Sequence, residues 1–183
     1  NAPDPRARGL DITRVKFCRS ASAPLPPELH RAFEEKFGIS VIETFGMTET
    51  NAPCFTNPYE REKRKIGSPG QAYGNEAKIV DTATGATLPP RAIGEILVRG
   101  DNVMKCYYKD PETTAKTLGP DGWLRSGDLG FLDEDGFVYV TGRIKELIIK
   151  GGENIAPREI DEALLRHPAV LEAAAVGIAD AAY

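Results

Sequence analysis

The sequence predicts a mixed α/β and β chain: a parallel βαβ unit, an antiparallel β region of small-barrel type, and the opening of an α+β unit. Three observations carry this. Strand, helix and strand patterns follow one another between residues 12 and 45, a spacing that makes the two strands parallel. Short alternating runs broken by Gly, Pro or Asp fill the stretch from about residue 65 onward, the pattern of antiparallel β structure. From residue 143 the character changes again, with a Gly-Gly turn and then a helical pattern.

Element by element, "ITRVKFC" reads as a short strand. "PLPPELHRAFEEKFG" reads as a helix, with Pro26 and Pro27 in the first turn, where a missing N–H costs nothing. Leu29, Ala32, Phe33 and Phe37 share one helical face, and Gly38 stands where the chain must leave the helix. "ISVIETF" is the second strand. "RKIGSPG", "EAKIVD", "GEILVRG", "WLRSGDLGFL" and "GFVYVTGR" are the β runs, and "FLDEDGFVYV" is a hairpin turning at Gly136. "APREIDEALLRH" is a helix with Pro157 at its start and Ile160, Ala163 and Leu164 on one face. "AVLEAAAVGI" reads as a strand, and "ELIIKGG" as part of the same α+β unit.

With 183 residues, 41% of them apolar, the chain can bury one core plus a small satellite. A net charge of −4 gives no basic surface for nucleic acid. No apolar run has the length of a membrane span. Cys18, Cys54 and Cys106 match neither a zinc spacing nor a disulfide framework, which points to a reducing, cytoplasmic setting. The opening "NAPDPRARGL" has no initiator Met, and the chain closes on "GIADAAY" right after a strand-like run. The expectation is a piece of a longer protein.

Four stretches carry polar chemistry. In "ETFGMTET", past the end of a strand, Thr48 offers a hydroxyl to a phosphate, Glu49 a hard oxygen to Mg²⁺, and Phe45 a flat face for a ring. A polar loop reads equally well. In "RSASAPLPPEL" the small residues at 20–23 let a ligand approach the backbone; the plainer reading is a strand-to-helix turn with Ser22 as a cap. In "DGWLRSGDLG" Asp128 can accept both hydrogen bonds of a cis-diol, or serve as an ordinary turn aspartate. "VTGRIKELIIKGGENIAPREID" holds Arg143, Lys145, Gly151 and Gly152, which a charged linker also explains; there is no GxxxxGK[ST] loop anywhere.

Taken together and in this order, the stretches resemble the adenylate-forming superfamily of acyl-CoA synthetases, coumarate-CoA ligases and luciferases. The resemblance runs over nearly the whole chain. It is most specific at "FGMTET", "GWLRSGDLG" and "GRIKELIIKGGENIAPREID", and the last is most like a fatty-acyl or related acyl-CoA synthetase. It implies the end of a Rossmann-like nucleotide-binding α/β subdomain over 1–64 and a distorted antiparallel β-barrel subdomain over 65–142. A hinge at 143–145 and the start of a mobile α+β domain over 146–183 would follow.

The resemblance also implies roles. Ala21, Ser22 and Ala23 would line an adenine site, and Phe45 would stack on the base where the family usually has Tyr. Gly46 and Met47 would lead to Thr48 at the α-phosphate and to Glu49 as the Mg²⁺ ligand. Asp128, helped by Arg143, would hold the ribose; Lys145 would be the pivot; Gly151 and Gly152 would face the incoming thiol. Cys106 stands where a glycine is usual and is given no function. The lysine-bearing, glycine-rich phosphate loop would lie before Asn1 and the adenylation lysine after Tyr183, so the chain alone would be inactive. The implied partners are ATP or AMP, Mg²⁺, coenzyme A and a carboxylic acid. The alternatives are an adenylating enzyme that loads a carrier-protein thiol and a nucleotide-binding or interaction module without catalysis.

Overall fold

The computed structural model describes residues 4–51, 53–151 and 153–178. In chain order the strands and helices are β1 (Phe17–Ser20), α1 (Pro27–Phe37), β2 (Ser40–Gly46), β3 (Pro53–Thr56), β4 (Gly70–Ala72), β5 (Glu76–Val80), β6 (Gly94–Arg99), α2 (Pro111–Thr117), β7 (Leu124–Leu132), β8 (Phe137–Arg143), β9 (Ile148–Lys150), β10 (Glu153–Ile155) and α3 (Pro157–Leu165). Eight strands form one sheet in the order β1-β2-β3-β4-β8-β7-β6-β5.

β1 and β2 pair in parallel, Phe17 with Ser40 through Ser20 with Glu43. The intervening α1 makes the crossover that parallel pairing requires. Every other ladder of the large sheet is antiparallel. The expected mixed α/β and β fold is therefore present, and β2 is the strand shared by its parallel and antiparallel parts. The antiparallel region has β5 at its edge. Its core is Cys54, Phe55, Ile79, Ile96, Val98 and Val138, all but fully buried. Burial pushes the Cys54 thiol up to about 11, so this cysteine behaves as an apolar core residue. Among the described residues no helix is long and apolar enough to cross a membrane.

Two close approaches fix the sheet. A Cβ on Gly70, at φ +102°, would lie 2.0 Å from the Thr56 carbonyl carbon. One on Gly130 would lie 2.2 Å from the Tyr139 oxygen. The turn into β4 is tied down by Ser68, whose Oγ donates to the Val138 carbonyl at 2.6 Å, while the Asn57 side-chain amide donates to the Ser68 carbonyl.

Several expectations need correction. The first strand starts at Phe17, not Ile12, because Asp11 Oδ1 captures the Thr13 N–H at 2.9 Å and holds a turn there. "RKIGSPG" is turn until Gly70, shaped by that Ser68 network. α1 runs Pro27–Phe37, starting later than the expected stretch from Pro24, with Pro26 as its cap rather than in its first turn, and Gly38 ends it at φ 68° as expected. Its buried residues, however, are His30 and Glu34, while Leu29 is 58% exposed. An ion-pair cluster, rather than the apolar face, anchors it. Glu34 Oε1 accepts the Val41 N–H at 2.8 Å and Arg64 Nη1 at 2.9 Å, with His30 Nε2 at 3.3 Å. Burial pushes the Glu34 carboxyl up, but the Val41 N–H, Arg64 and His30 outweigh it and hold it below the usual range.

β3 and α2 lie where no element was expected. Pro53 is tolerated because it is the first residue of its strand. α2 has no buried residue, so it leaves no apolar signature; Asp110 caps it by accepting the Thr113 N–H at 2.9 Å. Within "ELIIKGG", Ile148–Lys150 becomes β9, the first arm of the β9–β10 hairpin. "AVLEAAAVGI" forms no strand among the described residues. It runs past Ile148, near Gly177, without joining a ladder, and Leu171, Val176 and Ile178 stay exposed.

Candidate functional site

β2 ends at Gly46, and its last residues open into a cavity of about 800 Å³. Its lining includes Ser22, Ala23, Phe45, Gly46 and Met47 from the first part of the chain and Asp128, Arg143 and Lys145 from β7, β8 and the turn after it. The sequence-derived candidates from four separate stretches thus meet around one space. Thr48, Glu49, Ala21 and Gly151 are not among its lining residues. Gly152 lies outside the described residues.

The local folding explains each placement. Ser22 adopts φ +72°, a left-handed conformation that is uncommon outside glycine and costs energy. Its expected capping role is absent, since Pro26 occupies the cap of α1 without a side-chain bond. Phe45 packs against Phe55 at 5.8 Å between ring centroids and also lines the cavity. After Met47 the chain makes a 3-10 turn over Thr48–Thr50, in which Thr48 is exposed and Glu49 half-buried.

Asp128 lies in a bent part of β7. Gly127 has φ +73°, and its N–H donates at 3.2 Å to the buried Glu95, which also takes Arg125. Ser126 Oγ accepts the Asp128 N–H at 3.0 Å. These bonds turn the Asp128 carboxylate inward, where it is 7% exposed. Its cross-strand partner is Arg143, whose Nε donates to Asp128 Oδ1 at 3.2 Å. Burial raises the Asp128 carboxyl above its ordinary range, and the Arg143 charge opposes that only in part. Lys145 stands in the 3-10 turn Ile144–Glu146, directly after β8.

Polar residues of this region and its surroundings that the sequence reading did not single out include Glu43, Arg158, Asp161 and Tyr107. Glu43, 5% exposed, lines the cavity, and its Oε2 has no hydrogen-bond partner among the described residues. Burial holds its carboxyl above the usual range. The available signal was a glutamate inside the apolar strand "SVIETFG". Arg158 and Asp161 of α3 also line the cavity; Arg158 Nη1 donates to the Val140 carbonyl, and Asp161 Oδ1 accepts the Ala175 N–H at 2.6 Å. Tyr107 is the fourth. Its hydroxyl donates to Glu49 Oε1 at 2.6 Å, a contact across 58 residues that no local pattern announces. Gly151, at φ +60°, turns the β9–β10 hairpin. Cys106 is exposed.

A cavity lined by a buried carboxylate, a half-exposed guanidinium and an aromatic ring fits a flat heterocycle bearing a diol. The chain resembles several known proteins. The chain is 62% identical to a sulfoacetate–CoA ligase of Cupriavidus necator, over 92% of this chain and 33% of that protein. It is 41% identical to a long-chain-fatty-acid–CoA ligase of Bacillus subtilis, over 96% of this chain and 31% of that one. The chain therefore spans about a third of the length of the curated relatives it matches. Among solved structures, ATP-bound MatB of Rhodopseudomonas palustris superposes with a TM-score of 0.86 at 39% identity, covering 96% of this chain and 36% of that one. The model of the AMP-binding enzyme family matches residues 1–108, more than half of the sequence, and the chain belongs to that family.

Proposed function

We propose that the full-length protein carrying this sequence is an ATP-dependent acid–thiol ligase that makes an acyl-adenylate and passes the acyl group to coenzyme A. The observation that carries the reading is the single cavity that gathers Phe45, Asp128, Arg143 and Lys145 from three distant stretches of chain.

In this reading Phe45, beside Ser22 and Ala23, receives the adenine, and Asp128 with Arg143 orients the ribose. Such fixing of one reactant is worth much of a bimolecular barrier. Thr48 meets the α-phosphate. Glu49 fits a magnesium ion: it is a lone hard carboxylate with one oxygen held by Tyr107 and the other without a hydrogen-bond partner among the described residues. One carboxylate plus substrate phosphates is an ordinary Mg²⁺ set. The ion would neutralise charge at the phosphates. The acid's carboxylate then attacks the α-phosphorus, pyrophosphate leaves, and in the second half the thiol attacks the adenylate carbonyl and AMP leaves. Lys145 is the pivot between the two halves, and Gly151, in the β9–β10 turn, faces the thiol, as does Gly152 in the sequence-based reading. The division of the chain at 64/65 and at 143–145 belongs to the same reading.

The 62% identity to a sulfoacetate–CoA ligase makes sulfoacetate the first acid to try. The test is acid-dependent ATP–pyrophosphate exchange by the full-length protein, with sulfoacetate and a long-chain fatty acid in parallel, followed by thioester formation with free coenzyme A. Exchange and thioester formation support the reading. Exchange without transfer to free coenzyme A shifts it to a carrier-protein thiol. No exchange with either acid, alongside undiminished AMP binding, leaves a nucleotide-binding module.

A further inference from the structure

The segment after β6 wraps the Thr48–Thr50 turn. Asn102 Nδ2 donates to the Thr50 carbonyl at 2.9 Å, the Met104 N–H to the Glu49 carbonyl at 2.7 Å, and the Tyr107 hydroxyl to Glu49 Oε1 at 2.6 Å. Two of these bonds hold backbone. The third is the only one that fixes a side-chain oxygen of Glu49 among the described residues.

Tyr107 is itself held. Its N–H donates to Thr114 Oγ1 at 2.9 Å, and that hydroxyl donates to the Asp110 carbonyl at 2.7 Å. Asp110 is the cap of α2. α2 buries none of its own residues, so it adds little to the core. What it does is present a rigid hydroxyl acceptor to the Tyr107 backbone. The path runs from the capped helix through Thr114 and Tyr107 to the Glu49 carboxylate.

We propose that Tyr107 is a positioning residue for the metal–phosphate group: its hydroxyl locks Glu49 Oε1 and so presents Oε2 in one orientation to a divalent cation. The proposal rests on the reading of Glu49 as the metal ligand. A carboxylate ligand tied by an outer hydrogen bond loses less freedom on binding, and loss of such partners commonly costs metal affinity by roughly 10–100-fold. Tyr107→Phe keeps the ring and removes only the donor.

The experiment titrates Mn²⁺ into the full-length protein at saturating ATP and reads free Mn²⁺ by electron spin resonance, for the parent, Tyr107→Phe, Glu49→Gln and the double variant. Tyr107→Phe is expected to weaken Mn²⁺ binding about tenfold, to leave metal-free ATP affinity and thermal unfolding unchanged, and to recover exchange activity at high metal. The double variant is expected to match Glu49→Gln alone, because the two residues act as one unit. Parent-like Mn²⁺ binding in Tyr107→Phe, with loss in Glu49→Gln, overturns the positioning role and leaves the ligand role standing. Parent-like binding in both overturns the ligand reading and the positioning role with it. A lower unfolding temperature with unchanged Mn²⁺ affinity makes Tyr107 a structural residue and also overturns the proposal.

Discussion

Asp128 and Arg143 face each other across the β7–β8 ladder, with the carboxylate buried and the guanidinium half in solvent, 3.2 Å apart. The arrangement separates two tasks. Asp128 Oδ1 is occupied by Arg143, while Oδ2 accepts no hydrogen bond among the described residues. A diol entering the cavity would find an acceptor already oriented by a neighbouring cation.

If Asp128 holds the ribose, removing that acceptor should weaken nucleotide binding. Asp128→Ala in the full-length protein should cost about 2–4 kcal/mol of AMP affinity, the worth of two hydrogen bonds to a charged group. Calorimetry measures it, and an unchanged affinity in a folded variant returns Asp128 to a plain turn residue.

The same carboxyl sets a pH dependence. Burial raises it, so its charged form is complete only at a higher pH than for an exposed aspartate. Diol binding by the carboxylate would be present above the raised value and would be lost as pH falls through it. AMP affinity should therefore begin to fall at a pH above the ordinary aspartate range, and the Asp128→Asn variant should lack that inflection.

Gly130 gives a test that touches no ligand. A Cβ there meets the Tyr139 carbonyl at 2.2 Å, which only a shift of β7 against β8 can relieve. Gly130→Ala should destabilise by roughly 1–3 kcal/mol and, by displacing Asp128 from Arg143, should weaken AMP binding as well. Stability lost with AMP affinity intact would separate the ladder register from the site.

Lys145 stands in a 3-10 turn, a conformation whose φ suits proline. Lys145→Pro fixes φ at this position and blocks rotation about it. In the full-length protein one half-reaction should survive and the other fall by orders of magnitude. Single-turnover transfer from pre-formed acyl-adenylate, compared with pyrophosphate exchange, shows which. Equal loss in both halves signals misfolding, and no loss in either removes Lys145 as pivot.

The Glu34 cluster predicts a stability effect away from the cavity. Arg64 and Glu34 side chains are each 4% exposed. Arg64→Met strips a buried carboxylate of its main cation and should cost about 3–5 kcal/mol in thermal unfolding of the 183-residue chain. Glu34 is held below its ordinary range, so its contribution is present above the unfolded value and is lost as pH falls through the folded one. Arg64→Met should flatten that acid limb.

Periodicity made the βαβ unit, β5 through β8 and α3 readable, because each has an apolar pattern matched to its geometry. α1 was readable as a helix but not in its packing: the sequence offers Leu29 and Phe33 as a core face, while the structure spends its burial on His30 and Glu34. Charge pairs 30 residues apart, such as Arg64 with Glu34, leave no periodic trace. The same limit hid Tyr107. Thr48 and Glu49 could be picked from "FGMTET" because strand ends in α/β sheets carry ligand contacts. Which tyrosine reaches Glu49 depends on how residues 100–107 return across the sheet. "AVLEAAAVGI" had the composition of a strand and no ladder to join, so composition misled.

The place of β8 in the sheet has a consequence for the order of assembly. β8 inserts between β4 and β7, so Gly70 waits for Val138 before its ladder can close. Loop closure over such a separation is paid before any contact rewards it, which makes pairings of this kind slow. During synthesis β1, α1, β2 and β3 can form early, but β4 has an open edge until residue 143 has emerged. Phe45, on the cavity lining, is thus in place long before Asp128 and Arg143. A chain halted between residues 72 and 137 would expose Phe55 and its neighbours beside an unpaired strand edge, the surface on which chaperones act and aggregates begin.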